Sequence, residues 1–246
     1  MNDREKTISS DYEKPKLPKR FYTDVTVADE AGLAAILLDG RPVRTPGKAQ
    51  LAVPSAGLAE AIAHEWRGQG EEVDPHTMPL TKLINSAIDG VRGQEKSVVD
   101  DILAHAGSDL LCYRASGPEG LLALQNQAWD PVLSWAAGSL GAPLSLAEGV
   151  MDVPQPETSL AALRAEIEPL DAFRLAALHV MTTLTGSALL PLAVARAQLS
   201  PEAAWNAAHV DEDWQISQWG EDEEAKLRRQ SRKRDFDAAA KLLELY

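Results

Sequence analysis

Residues 21–54 read FYTDVTVADEAGLAAILLDGRPVRTPGKAQLAVP, and this stretch decides the fold class. Its start, Phe21 to Val27, alternates and is rich in β-branched residues, which predicts a strand with Val25 and Val27 on one face. Ala34 to Leu38 predicts a second strand, and Asp39-Gly40 supplies the positive-φ pair of a tight hairpin. The return arm, Arg41 to Thr45, contains Pro42, which cannot donate to a ladder, so this arm belongs at an edge or is irregular. Pro46-Gly47 signals a further turn, and Gln50 to Pro54 a third short strand.

Helical spacing follows. Ser55 caps a helix running to about Arg67, a second begins after Pro79, and a third spans roughly Glu95 to Ala106. Asp109 to Arg114 then reads as a strand returning to the sheet. Strands segregated from helices predict an α+β fold, a small two-layer domain over residues 20–116. From Gly117 the pattern is helical. The expected helices are Pro118 to Trp129, a restart at Asp130-Pro131, one around Leu160 to Ile167, and an amphipathic stripe at Phe173, Ala176, Ala177, Val180 and Leu184. Leu189 to Leu199, Pro201 to Val210 and about Glu221 to Leu245 complete an all-helical domain over 117–246, with 141–156 a long loop holding one short strand. Residues 1–19 read as a flexible, faintly basic tail, ending in a stretch with Pro15 and Pro18.

The 246 residues carry 24 Lys+Arg against 37 Asp+Glu, a formal net charge of −13. That balance argues against nucleic acid and anionic lipid as partners, since both demand a basic footprint. A single cysteine, Cys112, excludes an internal disulfide and any multi-cysteine zinc site; its apolar neighbours predict a buried thiol with a raised pKa. The first residues lack an apolar signal stretch and contain acids that transit peptides avoid, and no apolar run approaches the ~20 residues of a membrane span. The expected setting is the cytoplasm of a bacterium.

No catalytic spacing emerges. His64-Glu65 starts a zinc-helix pattern, but residue 68 is Gly68, and the other histidines stand singly, so no metal is expected. Gly40 to Lys48 fails as a phosphate loop, because Pro42 and Ala49 occupy required positions and the segment is a hairpin. Gly68-Gln69-Gly70 lacks a third glycine and follows a helix, and no serine sits in a nucleophile elbow. Carboxylates meeting only in space leave a carboxylate-dependent hydrolase of unknown substrate as the alternative function.

Aromatic usage is the unusual feature: six tryptophans against three phenylalanines. Trp214 and Trp219 lie in residues 211–224, where seven of fourteen residues are acidic. Either these rings cover the helical core under a solvated acidic face, or an acidic rim surrounds apolar anchors built for a protein partner. Under the second reading Trp214, Trp219 and Asp222 are the binding candidates, with Glu212 and Glu223 as steering charges. Arg41 and Arg44 of the hairpin form a second candidate surface, able to pair with a partner's acids or simply to be solvated.

Several blocks taken together point further: Lys19 to Tyr22, Leu38 to Pro46, Leu58 to Trp66, Met78 to Thr81, Ala87 to Asp89, Asp109 to Arg114, Trp129 to Pro131, and Asp211 to Gln215 with Trp219 to Asp222. Through them the chain resembles, over nearly all of residues 20–245, the assembly chaperones of the soluble F(1) head of ATP synthase, in the branch that holds the alpha subunit. The resemblance implies a non-enzymatic protein with a small α+β domain and a helical one. It implies binding of free alpha subunit, protection from aggregation until the beta subunit replaces the chaperone, and no requirement for nucleotide or cofactor. It also implies the bacterial cytoplasm in place of the mitochondrial matrix. A scaffold subunit that stays with the assembled complex is a third reading.

Overall fold

The computed structural model describes residues 17–149 and 153–246, so most of the N-terminal tail lies outside the described residues. The described chain is engaged from Pro18 onward: Val73 N–H donates to Pro18 O at 2.8 Å and Arg20 N–H to Glu71 O at 2.8 Å.

Strands β1 (Val25–Glu30) and β2 (Leu33–Leu38) pair antiparallel, Val25 opposite Leu38 and Val27 opposite Ile36. Apolar side chains two apart on facing strands give the sheet its inner face. Asp39 and Gly40, at φ 48° and 77°, make the two-residue turn into β3 (Arg41–Pro42), which pairs only with β2 and is therefore an edge, as Pro42 requires. The short β4 (Ala52–Val53) pairs with the other end of β2. Helix α1 (Ala56–Arg67), capped by the Ser55 hydroxyl, lays Leu58, Ala59, Ile62 and Ala63 into the core and packs across β1 and β2.

Helix α2 (Pro79–Ser86) runs into a single π-turn over Ala87–Val91, and α3 (Glu95–Gly107) follows. The N-terminus of α2 has no cap of its own. Glu65 of α1 supplies one, accepting from Leu80 N–H at 2.8 Å and from Thr81 N–H and Oγ1–H at 2.7 Å each. Two of the blocks that carry the resemblance are thus bonded to each other, and Glu65 is explained without a metal. Gly47 is likewise spoken for. Asp89 of the π-turn accepts from Gly47 N–H (2.7 Å) and Thr45 Oγ1–H (2.6 Å), and a Cβ on Gly47 would stand 2.7 Å from that carboxylate.

Residues 109–114 depart from expectation. They do not return to the sheet: Leu110–Cys112 form a 3-10 turn, and β5 (Tyr113–Arg114) pairs parallel with β6 (Ala147–Glu148) in a separate two-stranded ladder. The reason is Asp109, fully buried, whose Oδ2 accepts from Ser187 Oγ (3.0 Å) and from the N–H groups of Ala188 (2.8 Å) and Leu189 (3.2 Å). Leu111 N–H binds its other oxygen at 3.0 Å. A buried carboxylate has to find such donors, and these lie in the helical half, so the segment is drawn there.

Helix α4 (Glu119–Ser139) is continuous, where a break at Asp130-Pro131 was expected. Arg114 holds Asp130 at 2.6 Å, and the Trp129 indole N–H is fixed on Ala207 O at 2.7 Å, so tertiary bonds grip the two residues that lead into the proline. The Gln127 carbonyl, which loses its donor to Pro131, sits on an exposed residue where water can replace it.

Helices α5 (Glu157–Ile167), α6 (Ala172–Thr185), α7 (Leu189–Ala195), α8 (Pro201–Ala208), α9 (Val210–Trp219) and α10 (Glu223–Leu245) complete the chain. The expected stripe on α6 is wider than an amphipathic face, because α6 is enclosed by α2, α3, α7, α10 and the π-turn. One continuous apolar core therefore runs from Tyr22 in the sheet region to Leu242 in α10. The architecture is α+β, a small N-terminal sheet followed by a helical C-terminal part.

Candidate functional site

The segment 205–224 resolves into layers. Trp205 belongs to the core: it is buried, tilted on His209 at 4.0 Å and on Phe236 at 5.2 Å between ring centroids. His209 is buried too and donates its Nδ1–H to Trp205 O at 2.7 Å, the tautomer consistent with that acceptor; burial holds its pKa down. Trp214, half-buried, turns to α4. Gly120 there leaves room for the indole, since a Cβ on Gly120 would be 2.7 Å from its Cη2 atom. Gln125, fully buried in α4, donates to Asp211 Oδ1 at 2.7 Å and accepts from Ala115 N–H at 2.9 Å, tying α9 to the chain between the two halves.

Between α4, α8 and α9 these contacts leave an open groove of about 550 Å³ with Leu124, Ala128, Pro131, Leu199, Val210 and Trp214 in its lining. Leu124 is among the exposed large hydrophobic residues of the molecule. On the other side of α9, against the start of α10, lies a smaller cleft of about 280 Å³ lined by Glu212, Ile216, Trp219, Asp222, Lys226 and Arg229. Trp219 is 79% exposed at the corner where Gly220, at φ 87°, ends α9. The ring belongs to no core cluster and stands open on a charged surface. Leu227, 63% exposed on the first turns of α10, adds an apolar side chain that sequence reasoning missed; its charged neighbours gave no signal.

The structure brings Glu212, Trp219 and Asp222 together in that cleft, places Trp214 in the groove beyond α9, and leaves Glu223 outward with its side chain 84% exposed. The acids are less free than their sequence run implies. Asp213 pairs with Arg229, Glu221 with Lys226 at 3.2 Å and Glu224 with Arg228 at 2.9 Å. Asp222 is the cap of α10, accepting from Ala225 N–H at 2.9 Å. Arg41 and Arg44 are not part of this surface; they line a separate cleft on the sheet with Phe21, Tyr22 and Trp66.

The carboxylates whose pKa burial raises, Glu65 and Asp109, face backbone N–H groups and line neither the groove nor the two clefts. Cys112 is buried and its thiol pushed up to about 12, first by burial and then by Asp109, which leaves it inert. No cluster of three His, Cys, Asp or Glu able to hold a metal occurs among the described residues, and no described helix is long and apolar enough to cross a membrane.

Trp214 and Trp219 thus stand as apolar side chains among charges on two neighbouring faces of α9. Comparison with known proteins gives the class: residues 19–137 match the family model described as ATP12 chaperone protein. Atp12 from Paracoccus denitrificans is 43% identical, with a TM-score of 0.87 over 93% of this chain and 98% of that one. An aspartate-to-lysine variant of the same Paracoccus protein superimposes with a TM-score of 0.86, also at 43% identity over 93% of this chain and 97% of that one. Atu1473 of Agrobacterium tumefaciens, designated a candidate chaperone, is 52% identical with a TM-score of 0.90 over 93% of this chain and 86% of that one. The mitochondrial protein atp12 of Schizosaccharomyces pombe is 25% identical over 219 residues, 84% of this chain and 75% of that protein. The chain belongs to the ATP12 chaperone family and is a chaperone of ATP synthase assembly.

Proposed function

We propose that this chain holds the free alpha subunit of the F(1) sector in the bacterial cytoplasm, keeps it from aggregating, and yields it when the beta subunit arrives. It does so without catalysis, nucleotide, nucleic acid or membrane. The observation that carries this reading is the apolar groove beside the exposed Trp219. An orphaned subunit presents a large apolar contact face, and a holder needs apolar surface of its own to cover it. Release by a competitor requires that the held face be shared and the holder's affinity be lower, which suits a groove and a single open ring better than an extensive buried interface. The net charge of −13 keeps the holder soluble and favours encounter with basic patches of its client. Mixing the chain with purified alpha subunit tests this: a stoichiometric complex should form on size exclusion and disappear when beta subunit is added. A complex that survives excess beta subunit would instead make the chain a scaffold. Among the described residues neither the groove nor the two clefts favours the hydrolase alternative.

A further inference from the structure

The sheet carries a cleft of about 510 Å³ whose chemistry is opposite to that of the helical face. One wall is a ladder of rings, Phe21 edge-on to Tyr22 at 5.4 Å and Tyr22 edge-on to Trp66 at 5.6 Å; the floor is Leu38 and Val43, and Arg41 and Arg44 stand at its rim. Phe21, at the mouth, is 73% exposed.

The rim offers two solvated guanidiniums outside any ion pair, and beside them one buried indole N–H has no acceptor among the described residues. Arg67, Arg114, Arg164, Arg196 and Arg229 each meet a carboxylate, whereas Arg20, Arg92, Arg232 and Arg234 are in no ion pair among the described residues. Among the described residues Arg41 and Arg44 form no ion pair, although the chain has a large excess of acids. Asp39, which also lines the cleft, accepts from Asp24 N–H (2.8 Å) and Thr23 N–H (3.1 Å); these bonds lower its pKa more than the nearby charges of Arg41 and Arg20 do. Arg44 gives one N–H to Lys48 O at 2.9 Å and keeps the rest of its fork. The indole Nε1–H of Trp66 is buried with no acceptor, where such a donor normally finds one.

We propose that this cleft is a second protein-recognition site, taking a short acidic segment that carries one large apolar side chain. Guanidinium forks match carboxylates in bidentate geometry, and the open phenyl ring with the Leu38 and Val43 floor accepts the apolar side chain. A nucleotide or longer polyanion fits less well. Pro42 offers no amide to a phosphate cradle, and a nucleotide has no large apolar side chain to set on the Leu38 and Val43 floor. The proposal uses no feature of the α4–α8–α9 groove and stands or falls apart from the alpha-subunit reading.

The test is a nuclear magnetic resonance titration of the ¹⁵N-labelled full chain, with the Trp66 indole resonance assigned through Trp66→Phe. The probes are an acidic hexapeptide, acetyl-Glu-Asp-Leu-Phe-Glu-Asp-amide, a counterpart with lysine at every acid, and ATP. The acidic peptide should shift the Trp66 resonance saturably and leave those of Trp214 and Trp219 in place. Its Kd should rise at least ~10-fold in Arg41→Glu/Arg44→Glu, and rise with salt as screened charge pairs do. Phe21→Ser, at a side chain too exposed to support the fold, should weaken binding independently of the charges. No saturable shift, an equal response to the lysine peptide or ATP, or undiminished affinity in both variants would overturn the proposal.

Discussion

Asp109 shows how much one residue decides. Burial pushes its carboxyl up to about 6, against the pull of four donors, whereas an unfolded aspartate titrates near ~4. Between those values the native chain keeps a proton that the unfolded chain has lost. The group's stabilising share is therefore complete below about pH 4 and lost as pH rises through about 6, a difference of roughly 3 kcal/mol. Urea melts of wild type and Asp109→Asn should differ by an amount that falls over this window; a difference independent of pH would contradict it. Asp222 and Glu223, adjacent in sequence, separate just as cleanly. Asp222→Lys removes the α10 cap and puts a cation at a helix N-terminus, costing about 1 kcal/mol or more. Glu223→Lys keeps that cap but reverses an exposed first-turn charge and loses the 3.8 Å pair with Lys226, so it should cost less, about 0.5–1 kcal/mol. Client binding weakened by Glu223→Lys while the chain stays folded would assign the acid a surface role, and unchanged binding would remove it from the site.

Among the elements, α4 and α9 make the groove, and Gly120 sets their spacing. Gly120→Ala should push the Trp214 ring aside and cost about 1–3 kcal/mol. Gly138→Ala, in the same helix with open space at its Cβ, should be neutral or stabilising by up to about 1 kcal/mol. Equal thermal shifts for the two would mean that Trp214 is not seated on α4. The sheet, α1, α2, α3, α6 and α10 were legible in the sequence because their signals are local: Asp39-Gly40, the Ser55 cap, Pro79, and apolar residues at helical spacing. Helix α9 was not, since none of its residues is buried and so no apolar period marks it. Pro131 and Asp109 misled for a different reason: Trp129, two residues before the proline, and Asp109 have their decisive partners at Ala207 and Ser187–Leu189, 78 or more residues along the chain. Of the candidate site, the residue types were readable, but which acids are already paired or capping was not, because that depends on the meeting of α9 with α10.

At the scale of the whole molecule, the blocks that carry the family likeness are largely bonds between parts: Glu65 with Leu80 and Thr81, Asp89 with Thr45 and Gly47, Trp129 with Ala207, Gln125 with Asp211. They make one core from sheet to last helix, and such a rigid frame can hold two unlike surfaces apart, an apolar groove among helices and an arginine-rimmed cleft on the sheet. Under the proposed function such a frame covers another protein's apolar face, and binding that favours the folded client stabilises it by mass action. The direct measurement is light scattering from purified alpha subunit diluted out of denaturant. Equimolar chain should suppress the signal, and Trp214→Glu, which puts a charge in the groove, should restore most of it. Alpha subunit that precipitates as fast with the wild-type chain as in buffer alone would contradict the account.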